Sequence, residues 1–485
     1  MILVVPLHPI FNKTFLVMNK KLLIGATALI VSTSTFAGGI LTNTNQNATF
    51  LRNPARNAAI AIDGVYNNPA GIAFLEEGFH FSLSWQAAWQ KREITSQHNF
   101  FALNAATPGL ARKEFVGDIV APVIPSFQAA YVFNDKWSIS AQFAVGGGGG
   151  KCDYSNGLPM FEKLVGGNLT KAQATSYGLT QNLTGEQYFY ALQLGGTYKI
   201  TDKVSVFGGV RGVLANASYT GAIANITANG VPGAAYLNGV VGNLQKKIQN
   251  ATLAGYPQSA IDELTKAATE AGTYAYLMQS DFNLDCSQSA LGITPIIGVD
   301  VNLGKWNLAA KYEFRTKIEL ENESKNSTNV DLMMPNYADG AKNRSDIPAL
   351  ATFGAQYSPI ESLRIGANFN YYWDKDAKGS PIKEGKNTWE AILGVEGDLN
   401  EKWIGSFGFM RTQYGFEDAD MSDTNFNVSS FAVAIGGAYK FNETLKLNFG
   451  YMHSFFDEHE VKSATGSDIY TRKNDAVGLS LDFKF

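Results

Sequence analysis

The sequence predicts an all-β fold, a transmembrane antiparallel β-barrel of about fourteen strands. Three observations predict it. The final ten residues, AVGLSLDFKF, place Val477, Leu479, Leu481, Phe483 and Phe485 on one face and Ala476, Gly478, Ser480, Asp482 and Lys484 on the other. Period two marks a strand with one apolar and one polar face, and a closed barrel leaves no edge at which an aromatic terminal strand could recruit other chains. Only 17% of the 485 residues are charged although 45% are hydrophobic, against roughly 25% charge in soluble domains. The third observation is that every second connection between candidate strands is very short.

The elements follow in chain order. The single continuous apolar run, Leu22 to Val31, spans ten residues, half the roughly 20 that a membrane helix needs. It follows Lys20 and Lys21 and precedes STSTFA, so it reads as a signal peptide cut after Ala37, with Met18 as the start. Residues 1–37 are then upstream residues and signal, 38–76 a polar segment poor in strands, and 77–485 the barrel. An exported chain with strand periodicity points to a Gram-negative outer membrane, with membrane lipid and lipopolysaccharide around it.

Fourteen strands are read at about 78–93, 122–134, 136–149, 186–201, 203–221, 286–303, 305–321, 346–358, 361–375, 386–399, 401–416, 428–441, 443–459 and 472–485. In the seventh, Trp306, Leu308, Ala310, Tyr312, Phe314, Ile318 and Leu320 share a face opposite Asn307, Lys311, Glu313, Arg315, Lys317 and Glu319. Charge costs a few kcal/mol at the bilayer midplane, so the polar face lines a lumen. Arg211, Arg315 and Arg364 are its candidate positive charges, either meeting a carboxylate guest or pairing with Glu313 and Glu319. Short turns at Asn134-Asp135, Thr201-Asp202, Gly304, 358–361, Asn400-Glu401 and Asn442-Glu443 alternate with long loops. That is the asymmetry of periplasmic turns and extracellular loops.

Two loops, 150–185 and 222–285, exceed what a connector needs. In the first, Leu158, Met160, Phe161 and Leu164 form an apolar patch that would either collect a ligand or cover the barrel mouth. In the second, 258–279 has helical composition and spacing. Cys152 and Cys286, both near the outer rim, are allowed to pair in an exported protein. The third strand ends in the run Gly146 to Gly150, and Gly146, Gly147 and Gly148 mark either a kink or a loose exit into the loop.

Several function classes drop out. A formal net charge of −4 offers no basic stripe for nucleic acid. GxSxG, HExxH and metal-ligand spacings do not occur, and His80, His98, His453 and His459 are scattered. No enzyme, cofactor or metal is expected.

The segment 38–75, GGILTNTNQNATFLRNPARNAAIAIDGVYNNPAGIAFL, carries an alanine-rich run (Ala58 to Ile62), an acidic Asp63 and the triplet Asn68-Pro69-Ala70 directly before the first strand. It resembles the N-terminal plug of the FadL/TodX family, outer-membrane transporters of long-chain fatty acids and other hydrophobic compounds. An earlier Asn-Pro-Ala, Asn53 to Ala55, lies further from the first strand. The resemblance implies a monomeric fourteen-stranded barrel closed by this hatch, a hydrophobic small-molecule ligand and passive uptake. It also implies a third strand kinked inward, opening a gap near the Asn-Pro-Ala loop for sideways exit. The C-terminal strand ending in Phe485 would engage the barrel-assembly machinery. A polar-solute porin, or a surface adhesin using the long loops, are the alternatives.

Overall fold

A computed structural model describes residues 40–485, so the signal segment, the start at Met18 and the cut after Ala37 lie outside the described residues. The chain forms one closed antiparallel barrel. Strands one to six are Gly78–His98, Arg112–Val132, Trp137–Tyr154, Tyr177–Thr201, Val204–Ala228 and Phe282–Asn302. The seventh has two pieces, Trp306–Glu313 and Glu319–Ser324, as does the eighth, Lys342–Arg344 and Leu350–Ile360. Strands nine to twelve are Leu363–Tyr372, Thr388–Asp398, Trp403–Gln413 and Ser430–Lys440. The thirteenth comprises Leu445–Phe456 and His459–Ser463, and the fourteenth is Gly466–Lys484. The fourteenth closes the wall by pairing with the first from His80↔Lys484 to His98↔Gly466. No helix among the described residues is long and apolar enough to cross a membrane.

The alternation sets which residues meet lipid. On the first strand Phe79, Leu83, Trp85 and Trp89 are exposed while Ser82, Ser84, Gln86 and Gln90 are buried in the lumen. The ten steps from Phe79 to Trp89 cover about 34 Å of strand. A tilt of roughly 40° makes that about 26 Å of height, which matches the apolar band of such barrels. Aromatic pairs next to short turns, Trp137–Tyr198 at 4.6 Å, Trp306–Tyr357 at 4.5 Å and Trp403–Tyr439 at 4.7 Å, form a girdle at one interface.

Strands near the outer end run further than expected. The second begins at Arg112 rather than at residue 122, and the fourth at Tyr177 rather than 186. The first long loop therefore shrinks to 155–176 and the second to 229–281. The plug carries helices α1 (Ala48–Arg52) and α2 (Gly64–Asn67); the outer cap carries α3 (Pro159–Lys171), α4 (Gly233–Leu253), α5 (Gln258–Leu277) and α6 (Thr328–Met333). The expected helix at 258–279 is α5. Its partner α4 escapes the sequence reading because Gly233, Gly239 and Gly242 weaken local helix propensity. Packing against α5 supplies what propensity does not.

Two expectations are corrected. The seventh strand breaks at 314–318, where Phe314 and Arg315 are both exposed and the alternation changes phase. Ile318 and Leu320 are consequently buried in the lumen, and Arg315 faces outward, 3.5 Å from Asp346. Cys152 and Cys286 are both buried free thiols. They lie on the third and sixth strands with two strands between them, and about 4.8 Å per strand exceeds the reach of a disulfide.

Candidate functional site: plug, wall gap and inner chamber

The plug is tied to the barrel by hydrogen bonds from small polar residues. Asn47 caps α1, its Oδ1 accepting from Thr49 N at 2.9 Å, while its Nδ2 donates to Ser82 Oγ and Gln128 Oε1 at 3.0 and 2.9 Å. Asn68 caps the 3₁₀ turn Pro69–Phe74 through Gly71 N at 3.2 Å and donates to Asp300 Oδ2 at 2.5 Å. Thr197 donates to Pro69 O at 2.9 Å and Ser205 to Ala70 O at 2.7 Å. Asn307 bridges Asp300 Oδ2 and Ala58 O at 2.8 and 2.9 Å. Asn68-Pro69-Ala70 thus locks the lower end of the fourth, fifth and sixth strands, and Asn307 ties the seventh to Asp300 and to the plug at Ala58. Buried charge completes the frame: Arg56 grips Asp63 with bonds of 2.7 and 2.8 Å, and Arg52 pairs with Glu396.

A row of lumen glycines receives the plug. Gly354, Gly366, Gly394, Gly408, Gly436, Gly450 and Gly478 lie on seven consecutive strands, the eighth to the fourteenth. A Cβ on each would come within 3 Å of plug atoms between Ala48 and Ala58. Gly366, Gly394 and Gly408 are direct cross-strand partners, as are Gly436, Gly450 and Gly478. The wall there is backbone alone, and the plug rests on it.

On the other side the wall is interrupted. The second and third strands pair from Val132↔Ser138 to Ser126↔Ala144, and pairing resumes only at Val120↔Lys151. Pro122 and Pro125 lie in the unpaired stretch and have no N–H to offer a neighbour. Opposite them the Gly146–Gly150 run bulges twice against the fourth strand, with Gly148 at φ +65°. Backbone groups left in apolar surroundings must find partners. From inside, Asn43 N donates to Gly146 O at 2.9 Å, and the Asn43 and Gln46 amides reach Val145 O at 3.4 and 3.5 Å. From the membrane side, Trp85 Nε1 donates to Pro122 O at 3.0 Å. A Cβ on Gly147 would stand 2.4 Å from Leu41 O.

The same tail fills an apolar chamber. Ile40 and Leu41 are buried with Phe189, Val213, Ile318, Leu320, Ile382, Tyr414 and Phe416. Ile40 N donates to Asp374 Oδ1 at 3.4 Å. The void left beside Thr42 and Gly146 is about 10 Å³, space for about one water. The chamber is filled by the chain itself.

The profile of the family described as outer membrane protein transport protein (OMPP1/FadL/TodX) matches residues 28–485. The chain belongs to that family. A crystal structure of a Pseudomonas aeruginosa FadL homologue superposes with a TM-score of 0.61 at 13% identity, covering 92% of this chain and 100% of that one. The Pseudomonas putida toluene transporter TodX gives 0.55 at 14% identity over 88% and 94%. The Ralstonia pickettii toluene transporter TbuX gives 0.50 at 13% over 89% and 98%. At these identities the likeness shows the fold. No curated protein matches the sequence. The FadL/TodX family consists of channel-type outer-membrane transporters of hydrophobic compounds, not enzymes.

In this FadL/TodX-family chain the residues singled out above separate into groups. The Asn68 triplet bonds to the fourth, fifth and sixth strands, and it is Asn43 and Gln46, not the triplet, whose hydrogen bonds cap the interrupted wall. Gly146, Gly147 and Gly148 lie in the interruption. Arg211 is engaged by Glu313 at 2.5 and 3.1 Å and by Gln193, and Arg364 by Glu396 and Asp398 at 2.9 and 2.6 Å. Both belong to the barrel's internal ion pairs. Leu158 and Phe161 are buried in the core of the outer cap, with Met160 and Leu164 packed half-buried against it. Sequence reasoning passed over Pro122 and Pro125, Trp85, and the Ile40-Leu41 pair. Two prolines three residues apart inside an alternating strand were the available signal.

Proposed function

We propose that the protein carries hydrophobic small molecules, long-chain fatty acids or compounds of similar character, passively across the outer membrane and releases them sideways. One observation carries the reading: an apolar chamber, filled by Ile40 and Leu41, adjoins a wall interruption whose freed carbonyls are capped by the next residues of the same tail. A guest entering below the outer cap competes with Ile40 and Leu41 for the chamber. Withdrawing the tail removes Asn43 and Gln46 from the gap, and the guest leaves between the second and third strands into lipid. Partition into lipid rather than water supplies the direction. TodX and TbuX, which share the fold, are toluene transporters, which supports an apolar guest without naming it.

The test is uptake of a labelled fatty acid and of a labelled monoaromatic hydrocarbon by cells carrying the intact protein or a variant that refills the gap. Replacing Pro122 and Pro125 by Thr, which returns an N–H to each position of the unpaired stretch, should lower uptake of at least one guest while leaving the barrel assembled. Unchanged uptake of both would sink lateral release. A porin would require a lumen open to polar solutes, and here the lumen is crossed by residues 40–76. An adhesin role keeps one observation in its favour: Leu253 and Tyr256, at the tip of the α4–α5 hairpin, are 80% and 60% exposed. Deleting 229–281 with uptake intact and surface attachment lost would favour that role.

A further inference from the structure

We propose that the membrane-facing wall outside the Gly436–Gly450–Gly478 row holds a binding groove for one acyl chain of a membrane lipid. The groove has a volume of about 490 Å³ and lies between Trp85, Ile435, Phe449, Tyr451, Val477 and Leu479. It is a concavity open to the membrane along its outer side, and its lining is almost wholly apolar.

The origin of the groove lies on the other side of the wall. Gly436, Gly450 and Gly478 are direct partners on three adjacent strands and carry no side chain into the lumen. A Cβ on Gly436 would be 2.7 Å from Arg52 Cβ, and one on Gly450 2.6 Å from Arg52 N. The sheet can therefore close onto α1, and its outer surface recedes by the same amount. The large outward residues flanking the row, Phe449, Tyr451 and Leu479, remain as rims.

The chemistry of the lining selects the occupant. Only two lining side chains have polar groups, and both are used elsewhere. Trp85 Nε1 donates to Pro122 O at 3.0 Å, and Tyr451 Oη donates to Asp475 Oδ1 at 2.6 Å. The groove offers no hydrogen bond, so a polar or charged guest would be stranded there. Its depth is set by the pair Trp85↔Leu479, well inside the band from Phe79 to Trp89. At that height the surrounding medium is hydrocarbon. A chain that lies in it meets a concave surface rather than a convex one and gains contact with the floor and the rims. It also backs a wall one backbone thick at the point where the plug rests.

Native mass spectrometry of the purified full-length barrel, after exchange into a delipidating detergent, tests this. Three proteins are compared: the unaltered chain, Val477→Trp, which fills the groove, and Leu393→Trp, a lipid-facing change on the tenth strand outside it. Heat-modifiable migration confirms that each barrel is assembled. Ile435→Trp fills the same groove from the twelfth strand and replaces Val477→Trp should that variant not assemble. The expected result is one retained phospholipid or lipopolysaccharide mass on the unaltered and Leu393→Trp proteins, and its loss from the groove-filling variant. No retained lipid on the unaltered protein overturns the proposal, and so does equal retention by all three. Retention of a free fatty acid only, unaffected by filling the groove, would assign the guest to the lumen and overturn it as well.

Discussion

Asn68 does two jobs with one amide. Its oxygen caps the turn that follows it, and its nitrogen donates to Asp300, a carboxylate buried among the lower strands. Removing one partner of a buried charged acceptor costs about 2 kcal/mol. Asn68→Ala should lower the thermal stability of the barrel by that amount, read by denaturation in detergent, and raise its permeability to small sugars. Asp420 gives the outer loops a pH response. Burial pushes its carboxyl up, but backbone N–H groups of Lys383, Glu384, Glu417 and Gly385 outweigh that and hold it below the usual carboxylate range. Their donor distances are 2.6, 3.0, 3.1 and 2.8 Å. A depressed folded value means the stabilisation is complete above about pH 4, the unfolded carboxylate value, and is lost as pH falls through the folded one. Protease nicking within 375–387 should therefore be unchanged between pH 7 and pH 5 and rise only in stronger acid. Asp420→Asn should make the same loop labile at neutral pH. Arg211 was legible from the sequence because it alternates in phase with its strand. Arg315 was not, because the phase of the seventh strand changes one residue before it.

The glycine row is an element-scale device, and each strand contributes one residue to it. A side chain at any of its positions meets the plug. Gly450→Leu and Gly394→Leu should lift the plug and raise single-channel conductance in planar bilayers. Gly405→Leu, whose site faces the outer wall beside Leu399, should leave conductance at the level of the unaltered protein. Equal conductance in all three would mean that the plug does not depend on its seat. The tail is the complementary element. Burying an aliphatic side chain contributes about 1.5–3 kcal/mol, so replacing Ile40 and Leu41 by Gly removes enough to shift a closed chamber toward an open one. Faster uptake at unchanged barrel stability is expected. Every strand could be placed from alternation, since each repeats one local rule. The glycines could not be recognised as a row, because register between strands is decided by pairing across the sheet and not by spacing along the chain.

At the scale of the whole molecule, two opposite halves of the wall do different work. Strands eight to fourteen pair directly with one another at the glycine level and carry the seat; strands two and three lose their pairing and carry the gap. The plug spans both, held on the seat by buried ion pairs and at the gap by neutral amides. Liposomes containing the intact barrel should exclude sugars in a swelling assay, and those with residues 40–46 deleted should admit them only if the tail is the seal. Exclusion in both cases would place the seal in residues 47–76.

The sequence by itself determined the all-β class, the strand number, the closure of the terminal strand on the first, and the position of the Asn68 triplet ahead of the barrel. These follow from period-two burial and from turn length, both local properties that any single strand displays. Tertiary structure alone decided which carbonyls lose their partners, what caps them, and that Cys152 and Cys286 stay apart. It also decided that the final strand does more than close the wall. Gly478, one of the polar-face residues of AVGLSLDFKF, gives the plug its place to rest, because only assembly brings α1 against it.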